Sequence, residues 1–405
     1  MIFKLAWRNI WRNKRRSYLT IASIMFAVIL ALLMRSLQLG SYESMIENSV
    51  RFSTGHIQIH QNGYWDEKIL DNSMPQDTQL IFMLSGIQGV EGVIPRVESF
   101  ILSAYGSKTR GAFLMGIDPE REQGMTRLRD KVVEGEYLSI NDKAVLISEG
   151  LAKYLQMSVG DTLVLLGQGY HGASAAALYP IKGIVKFPIK QQNDQSIFLP
   201  IPQAQWLYDA NGLLTSVSIM LDKPQRVDEV EKTIKEYVDL EMLEVMNWEE
   251  LSPELIQGIE IDNLSSLMML YILYIIIGFG ILGTFMMMTA ERQYEFGVMM
   301  SIGMSRIKMQ LTIALEMFLM TVLALIGGIG LMTPILIYMH AHPIPLTGDM
   351  AITAEEMGVE AAYYFSLQPE IFLNQAWAIF IMAGFLGFYP LYSIQKLKPV
   401  KAMRA

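Results

Sequence analysis

The sequence predicts an α-helical membrane protein with four transmembrane helices plus a large α+β extracytoplasmic (periplasmic) domain between helices 1 and 2. Four stretches are apolar over the roughly 20 residues that a bilayer crossing needs: 19–39, 264–289, 311–339 and 372–393. Between the first two lies a polar, acidic segment, 40–263, patterned for short strands and helices. At 52% hydrophobic residues and a mean hydropathy of +0.29 the chain is too apolar for a soluble protein, and at 18% charged residues it is too polar to lie wholly in lipid.

Direction across the membrane follows from the placement of Lys and Arg. Residues 1–18 carry Lys4, Arg8, Arg12, Lys14, Arg15 and Arg16 and no acid. The tail 394–405 carries Lys396, Lys398, Lys401 and Arg404 and no acid. Both termini are therefore expected in the cytoplasm. The 340–371 loop has five acids and no Lys or Arg, which suits the outer side. The 40–263 domain holds 32 acids and 18 bases, so the net charge of −8 for the whole chain originates there. That acidity argues against nucleic acid as a partner. With no cysteine, disulfides and thiolate metal sites are excluded.

The 1–18 segment reads as an amphipathic helix in the inner headgroup layer. Phe3, Trp7, Ile10 and Trp11 fall on one face, and Lys4, Arg8, Arg12 and Arg15 on the other. A basic start before an apolar run also fits a signal peptide, but no A-x-A-like site follows Met34-Arg35-Ser36-Leu37-Gln38, so an uncleaved signal anchor is expected. Arg35 is a charge inside a span, which is either functional or snorkels to the boundary. Glu316 sits near the start of the third span, and residues 290–310 form a short segment before it.

Within 40–263, Gly55 to His60 alternates like a strand, and Ala144–Ser148, Thr162–Leu166, Ile181–Phe187, Ser196–Pro200 and Val217–Leu221 read as further strands. Thr78–Gly86, Ser148–Gln156 and Asp228–Leu240 read as helices. A hairpin-bearing subdomain is expected over about 111–200. Its segment Gly167–Pro180, which includes Gly169, Tyr170, His171, Gly172 and Leu178, is small, uncharged and flexible. It is either a floppy hairpin tip or a loop that grips a partner.

Several motifs point nowhere. Leu84-Ser85-Gly86-Ile87-Gln88 imitates an ATPase signature on the wrong side of the membrane, and no G-x-x-x-x-G-K-[ST] loop exists. No cofactor is expected in this chain. His56 with His60, and His340 with His342, lack the ligand spacing of a zinc site. No nucleophile or paired-carboxylate arrangement marks an enzyme.

Three segments resemble one family. Leu5-Ala6-Trp7-Arg8-Asn9-Ile10-Trp11-Arg12-Asn13-Lys14-Arg15-Arg16 is similar to the opening of permeases of the FtsX/MacB/lipoprotein-releasing superfamily of ABC transporters. Glu291 to Arg306 resembles that family's E-R-x-x-E-F-G…x-G-x-x-R signature, and Lys398-Pro399-Val400-Lys401-Ala402-Met403-Arg404 its closing x-P-x-x-A-x-R. Ile147 to Lys153, followed by Val159-Gly160-Asp161, resembles its outer domain. A separate permease with so large an outer domain most resembles the LolC/LolE type, although the 340–371 loop is longer than that type leads one to expect.

The resemblance implies a non-catalytic subunit of the bacterial inner membrane. It would act as a dimer with a second copy or paralogue and pair with a separate ABC ATPase, which binds the ATP and Mg. Movement of the ATPase would pass mechanically to the outer domain. Lipoproteins, or another amphiphilic substrate, would be extracted from among the membrane lipids of the outer leaflet and handed to a periplasmic carrier or adaptor. Glu291, Arg292, Glu295, Phe296, Gly297, Met299, Gly303 and Arg306 would couple to the ATPase, with the charges pairing on its surface and Phe296, Val298 and Met299 filling a groove. Met34, Leu37, Leu267, Met268, Tyr271 and Ile275 would line the substrate path, where flexible Met suits varied acyl chains. The Gly167–Pro180 loop would hold the carrier. The resemblance leaves open MacB-like export of peptides or amphiphiles, and FtsX-like signalling to a periplasmic hydrolase.

Overall fold

A computed structural model describes residues 2–12, 14–356 and 360–396; the closing Lys398–Arg404 motif lies outside the described residues. The chain forms two compact units. One, helical, comprises Met1–Glu43, Gly258–Ile344 and Tyr363–Ala405; the other, α+β, comprises Ser44–Gln257 with Pro345–Ala362.

Among the described residues four helices are long and apolar enough to cross a membrane: Lys14–Thr54, Pro253–Ala290, Arg306–Ala341 and Pro369–Gln395. The first two run well past the boundaries read from hydropathy. Hydropathy marks where lipid must begin, whereas a helix continues for as long as its backbone ladder is favourable. The expected helix over 1–18 is divided. Ile2–Arg12 is a helix of its own, and residues from Lys14 onward belong to the first span. The Ser17 hydroxyl donates to the Ile10 carbonyl at 2.8 Å and ties the corner. Ile10 does not face the headgroups. It is buried with Ala6 and Asn9, while Phe3, Trp7 and Trp11 stay exposed. Small residues let the spans approach: a Cβ at Gly328 in the third span would lie 2.9 Å from the Val28 Cβ of the first. Gly40 does the same for the segment before the fourth span, where a Cβ would meet the Phe365 nitrogen at 2.6 Å.

The α+β unit is built on a ten-stranded sheet. Its strands are β1 (Ile57–Gln61), β2 (Val90–Tyr105), β3 (Lys108–Ile117), β4 (Val132–Gly135), β5 (Val145–Ser148), β6 (Thr162–Gln168), β7 (Ser174–Val185), β8 (Ser196–Pro200), β9 (Ser216–Leu221) and β10 (Leu243–Asn247). The order is β10-β1-β9-β2-β3-β8-β5-β7-β4, with β6 pairing to β2 and β7. The long β2–β3 hairpin is at its centre and was not legible in sequence. Pro95, Gly92 and the charges of Glu91, Arg96 and Glu98 break the alternation that marks a strand. Residues 111–200 do not separate as a subdomain, because β3, β5, β7 and β8 continue the same sheet as β1 and β2. The 340–371 loop carries a helix, Asp349–Glu356, and a short strand pair, Ile344–Pro345 with Ala362–Tyr363. Asn48 donates to Glu360 of this segment at 3.3 Å.

The histidine pair beside β1 is structural. His56 Nδ1 accepts the Leu221 N–H at 3.1 Å, which requires a neutral ring. Burial, helped by the charge of Arg51, pushes its pKa down to about 4, and burial lowers His60 in the same direction. Because the folded pKa of His56 lies below the ordinary value of about 6.5, the unfolded chain binds the extra proton and stability falls as pH drops through that window. The α+β unit is expected to lose about 2 kcal/mol of stability from His56 between pH 7.5 and pH 5. Protease protection of the full chain across that range reads this out. A His56→Gln variant should show a shallower slope, and an unchanged slope would remove His56 as the cause.

Candidate functional site

The segment joining the second and third spans is a nine-residue helix, Gln293–Ser301. It ends at Gly303, where φ is +100°, so a side chain there strains the turn whatever space surrounds it. The Met304 N–H returns to the Met299 carbonyl at 3.0 Å and closes the helix end.

The charges of this segment turn inward. The Arg292 Nη1 donates to a Glu316 carboxylate oxygen, and the Asn9 Nδ2 donates to the other at 2.6 Å. Arg292 also reaches Glu295 at 3.3 Å. Glu295 takes Arg12 at 2.9 Å, and Glu291 pairs with Arg16. The N-terminal helix, the short helix and the third span are thus joined by one polar cluster. Its centre is dry: the Arg292 and Glu316 side chains are only 5% and 3% exposed. An acid in an apolar span must find such partners, so Glu316 was the one signal in the sequence that pointed to this cluster. Asn9, which bonds Glu316, and Arg12 and Arg16, which pair with Glu295 and Glu291, gave no such signal.

The coupling expectation is corrected for part of the set. Phe296 is 1% exposed and Gly297 is buried, so both pack within the chain and neither can enter a groove on another protein. Met299 is half-buried against the same core. Glu291, Arg292 and Glu295 are paired internally rather than held ready for a partner's surface. Arg306 donates to the Gln395 carbonyl at 2.8 Å, which ties the third span to the end of the fourth. The outward surface includes Tyr294, Ile302, Gly303, Arg306 and Ile307; Ile302, 82% exposed, has no counterpart among the expected residues.

On the second span, Met268, Tyr271 and Ile275 share one exposed face with Leu264 and Phe279. Leu267 is half-buried and does not join that face. Met34 and Leu37 are half-buried on the first span, and Leu37 packs on the helical core. Arg35 does not stand free. Its Nη1 donates to Gln38 at 2.6 Å and to Asn263 at 3.1 Å, while Gln38 donates to the Tyr42 hydroxyl at 2.8 Å and that hydroxyl to Asp262 at 2.5 Å. This network joins the first and second spans.

The Gly167–Pro180 segment is not a floppy loop. Gln168 pairs with Ser174 and Thr162 with Pro180, so most of it is strand, with Leu178 exposed on β7 opposite Val164. Only the turn Gly169–Ala173 remains. That turn is docked on its own domain: the Tyr170 N–H donates to the Tyr208 carbonyl at 2.8 Å, and the His171 N–H to Asp71 at 2.6 Å. A Cβ on Gly169 would collide with the Tyr208 backbone. Cross-strand pairing over a run of small residues is invisible in composition, and hence the reading of flexibility failed.

Residues 17–237 match the family described as MacB-like periplasmic core domain, and residues 267–399 match that described as FtsX-like permease C-terminal. An uncharacterized ABC transporter permease from Methanocaldococcus jannaschii is 22% identical over 418 residues, spanning 100% of this chain and 97% of that protein. The periplasmic region of MacB from Actinobacillus actinomycetemcomitans superposes with a TM-score of 0.37 at 17% identity, covering 53% of this chain and 95% of that one. The extracellular domain of YknZ, an ABC-type transporter from Gram-positive bacteria, does so at 0.34 and 16%, covering 47% and 99%.

Among the described residues four helices long and apolar enough to cross a membrane, with an α+β domain inserted in sequence after the first, fit a multi-pass permease with a periplasmic domain. The chain belongs to the family of ABC transporter permeases that have a MacB-like periplasmic core and an FtsX-like C-terminal domain.

Proposed function

We propose that this permease serves an ATP-driven transporter of the bacterial inner membrane that draws lipoproteins from the outer leaflet and passes them to a periplasmic carrier. Both termini and the Gln293–Ser301 helix face the cytoplasm, where a separate ATPase binds ATP and Mg. The observation that carries the reading is the apolar face of the second span, Leu264, Met268, Tyr271, Ile275 and Phe279. No described residue of the helical unit covers it, and its Met and aromatic side chains can follow an acyl chain. The Arg292–Glu316 cluster supports mechanical transmission, since separating the short helix from the third span would leave a buried charge unpaired. In this reading Tyr294, Ile302, Gly303 and Arg306 make the ATPase contact, while Glu291, Arg292, Glu295, Phe296, Gly297 and Met299 hold the helix in place. A second permease copy or paralogue completes the channel wall.

The docked Gly169–Ala173 turn favours a second reading, MacB-like export of a peptide or other amphiphile, because it leaves no free arm for a carrier. A photo-crosslinking residue at Tyr271 in living cells separates the two. Adducts to acylated proteins are expected. Adducts to unacylated peptides would favour export, and adducts to phospholipid alone would remove this face from the substrate path.

A further inference from the structure

The α+β unit contains a cavity of about 300 Å³ between β2, β3, β8 and the Lys190–Gln195 helix, and neither the sequence motifs nor the proposed transport path uses it. That size is at the small end of ligand sites. Its walls are aromatic: Phe52, Trp65, Phe100, Phe113, Phe187 and Phe198 line it. Phe187 lies edge-on to Phe52 and stacked on Phe198, both at 5.8 Å, and Phe100 meets Phe113 at 5.2 Å.

Two polar groups at the cavity are acceptors short of donors. Glu98 lines it and shares one guanidinium with Glu122. Arg96 gives Glu122 two bonds, at 2.6 and 3.1 Å, and Glu98 a single contact at 3.4 Å. Glu98 thus holds the weaker share of Arg96, and the other cation on the same lining is Lys68. Burial pushes the Glu98 carboxyl above the usual range despite Arg96, so its charged form is favoured only when a further cation lies beside it. The second group, Gln192 Oε1, is buried at the cavity and makes no hydrogen bond, an omission that costs free energy until a donor arrives. The aromatic wall already holds one cation, for the Lys68 ammonium lies 3.8 Å from the centre of the Trp65 ring.

We propose that this cavity binds a small cationic amphiphile, with its apolar body against the phenylalanine walls and its ammonium head between Glu98 and Gln192. A cation beside Glu98 holds its carboxyl ionised, which an anionic or an uncharged amphiphile cannot do. The site lies wholly in the α+β unit and does not depend on which cargo the spans carry.

The test uses the full chain in lipid nanodiscs and two water-soluble probes with the same ring, phenethylammonium and phenylpropionate, measured by calorimetry. Phenethylammonium should bind saturably and phenylpropionate should not. Glu98→Gln should weaken phenethylammonium about tenfold, the loss of one charge-assisted bond. Lys68→Met, which removes the resident cation from an exposed position, should strengthen it about threefold. Protease protection of the α+β unit confirms that each variant is folded; should Glu98→Gln fail that control, Lys68→Met decides alone. Equal affinity for the two probes, no binding of phenethylammonium, or unchanged affinity in a folded variant would overturn the proposal.

Discussion

Replacing Glu316 by alanine is expected to destabilise the helical unit by about 3–5 kcal/mol, because Arg292 would stay buried without its carboxylate. The Asn9 amide would lose its acceptor in the same step. The N-terminal helix should then detach from the third span. Thermal aggregation of the detergent-solubilised chain should start at lower temperature, and trypsin should reach Arg8 and Arg12. The double variant Arg292→Met/Glu316→Leu separates charge from packing. Replacing both partners by apolar groups of similar volume usually restores stability, so the double variant should melt nearer to the parent than either single one. If Glu316→Ala melts as the parent does, the cluster contributes nothing and the rigid link assumed for coupling fails with it.

The second large effect is expected at Arg96, in the α+β unit. Arg96 and Glu122 are fully buried, and Arg96 also donates to the Ser53 carbonyl at 2.7 Å. Arg96→Leu would leave Glu122 and Glu98 as unpaired carboxylates in the sheet's interior, at a cost of about 3–5 kcal/mol. Protease protection of the unit should fall sharply at neutral pH. It should recover in part at lower pH, where the orphaned carboxyls can take up protons. Complete protection at pH 7.5 would show that water reaches these carboxylates and that Arg96 is not the centre of a buried network.

How much of this was legible depends on how local each signal is. The four spans, the helix Thr78–Ser85 and the strands Val145–Ser148 and Ser196–Pro200 were readable because hydropathy and periodicity act within a few residues. The capping carboxylate of Asp77 accepts the N–H of Gln79 at 2.8 Å, two positions away. The β2–β3 hairpin was unreadable because Arg96 is a buried charge on a central strand. Only its pairing with Glu122 makes that placement tolerable, and no periodicity reports a pairing.

The candidate site divides in the same way. The Glu291–Arg306 stretch holds a short helix, Gln293–Ser301, and a left-handed turn at Gly303, a backbone conformation that calls for glycine. The direction in which the charges point was not in the pattern. Arg292 and Phe296 read as a contact surface because polar and aromatic side chains on a short helix usually meet a partner. They are buried because Glu316 and the N-terminal helix are there to meet them.

By itself the sequence determined the number of spans, the presence of an inserted α+β domain and the family. All of these follow from composition and patterns along neighbouring residues, where the bilayer or the backbone supplies the selection. Tertiary structure alone decided which groups are paired. Asn9 reaches Glu316 across 307 positions of chain, Gly169 rests on Tyr208, and six aromatic rings from separate elements close around Glu98. The reason is physical: a buried polar group is stable only beside its complement, and the fold, not the order of residues, brings complements together.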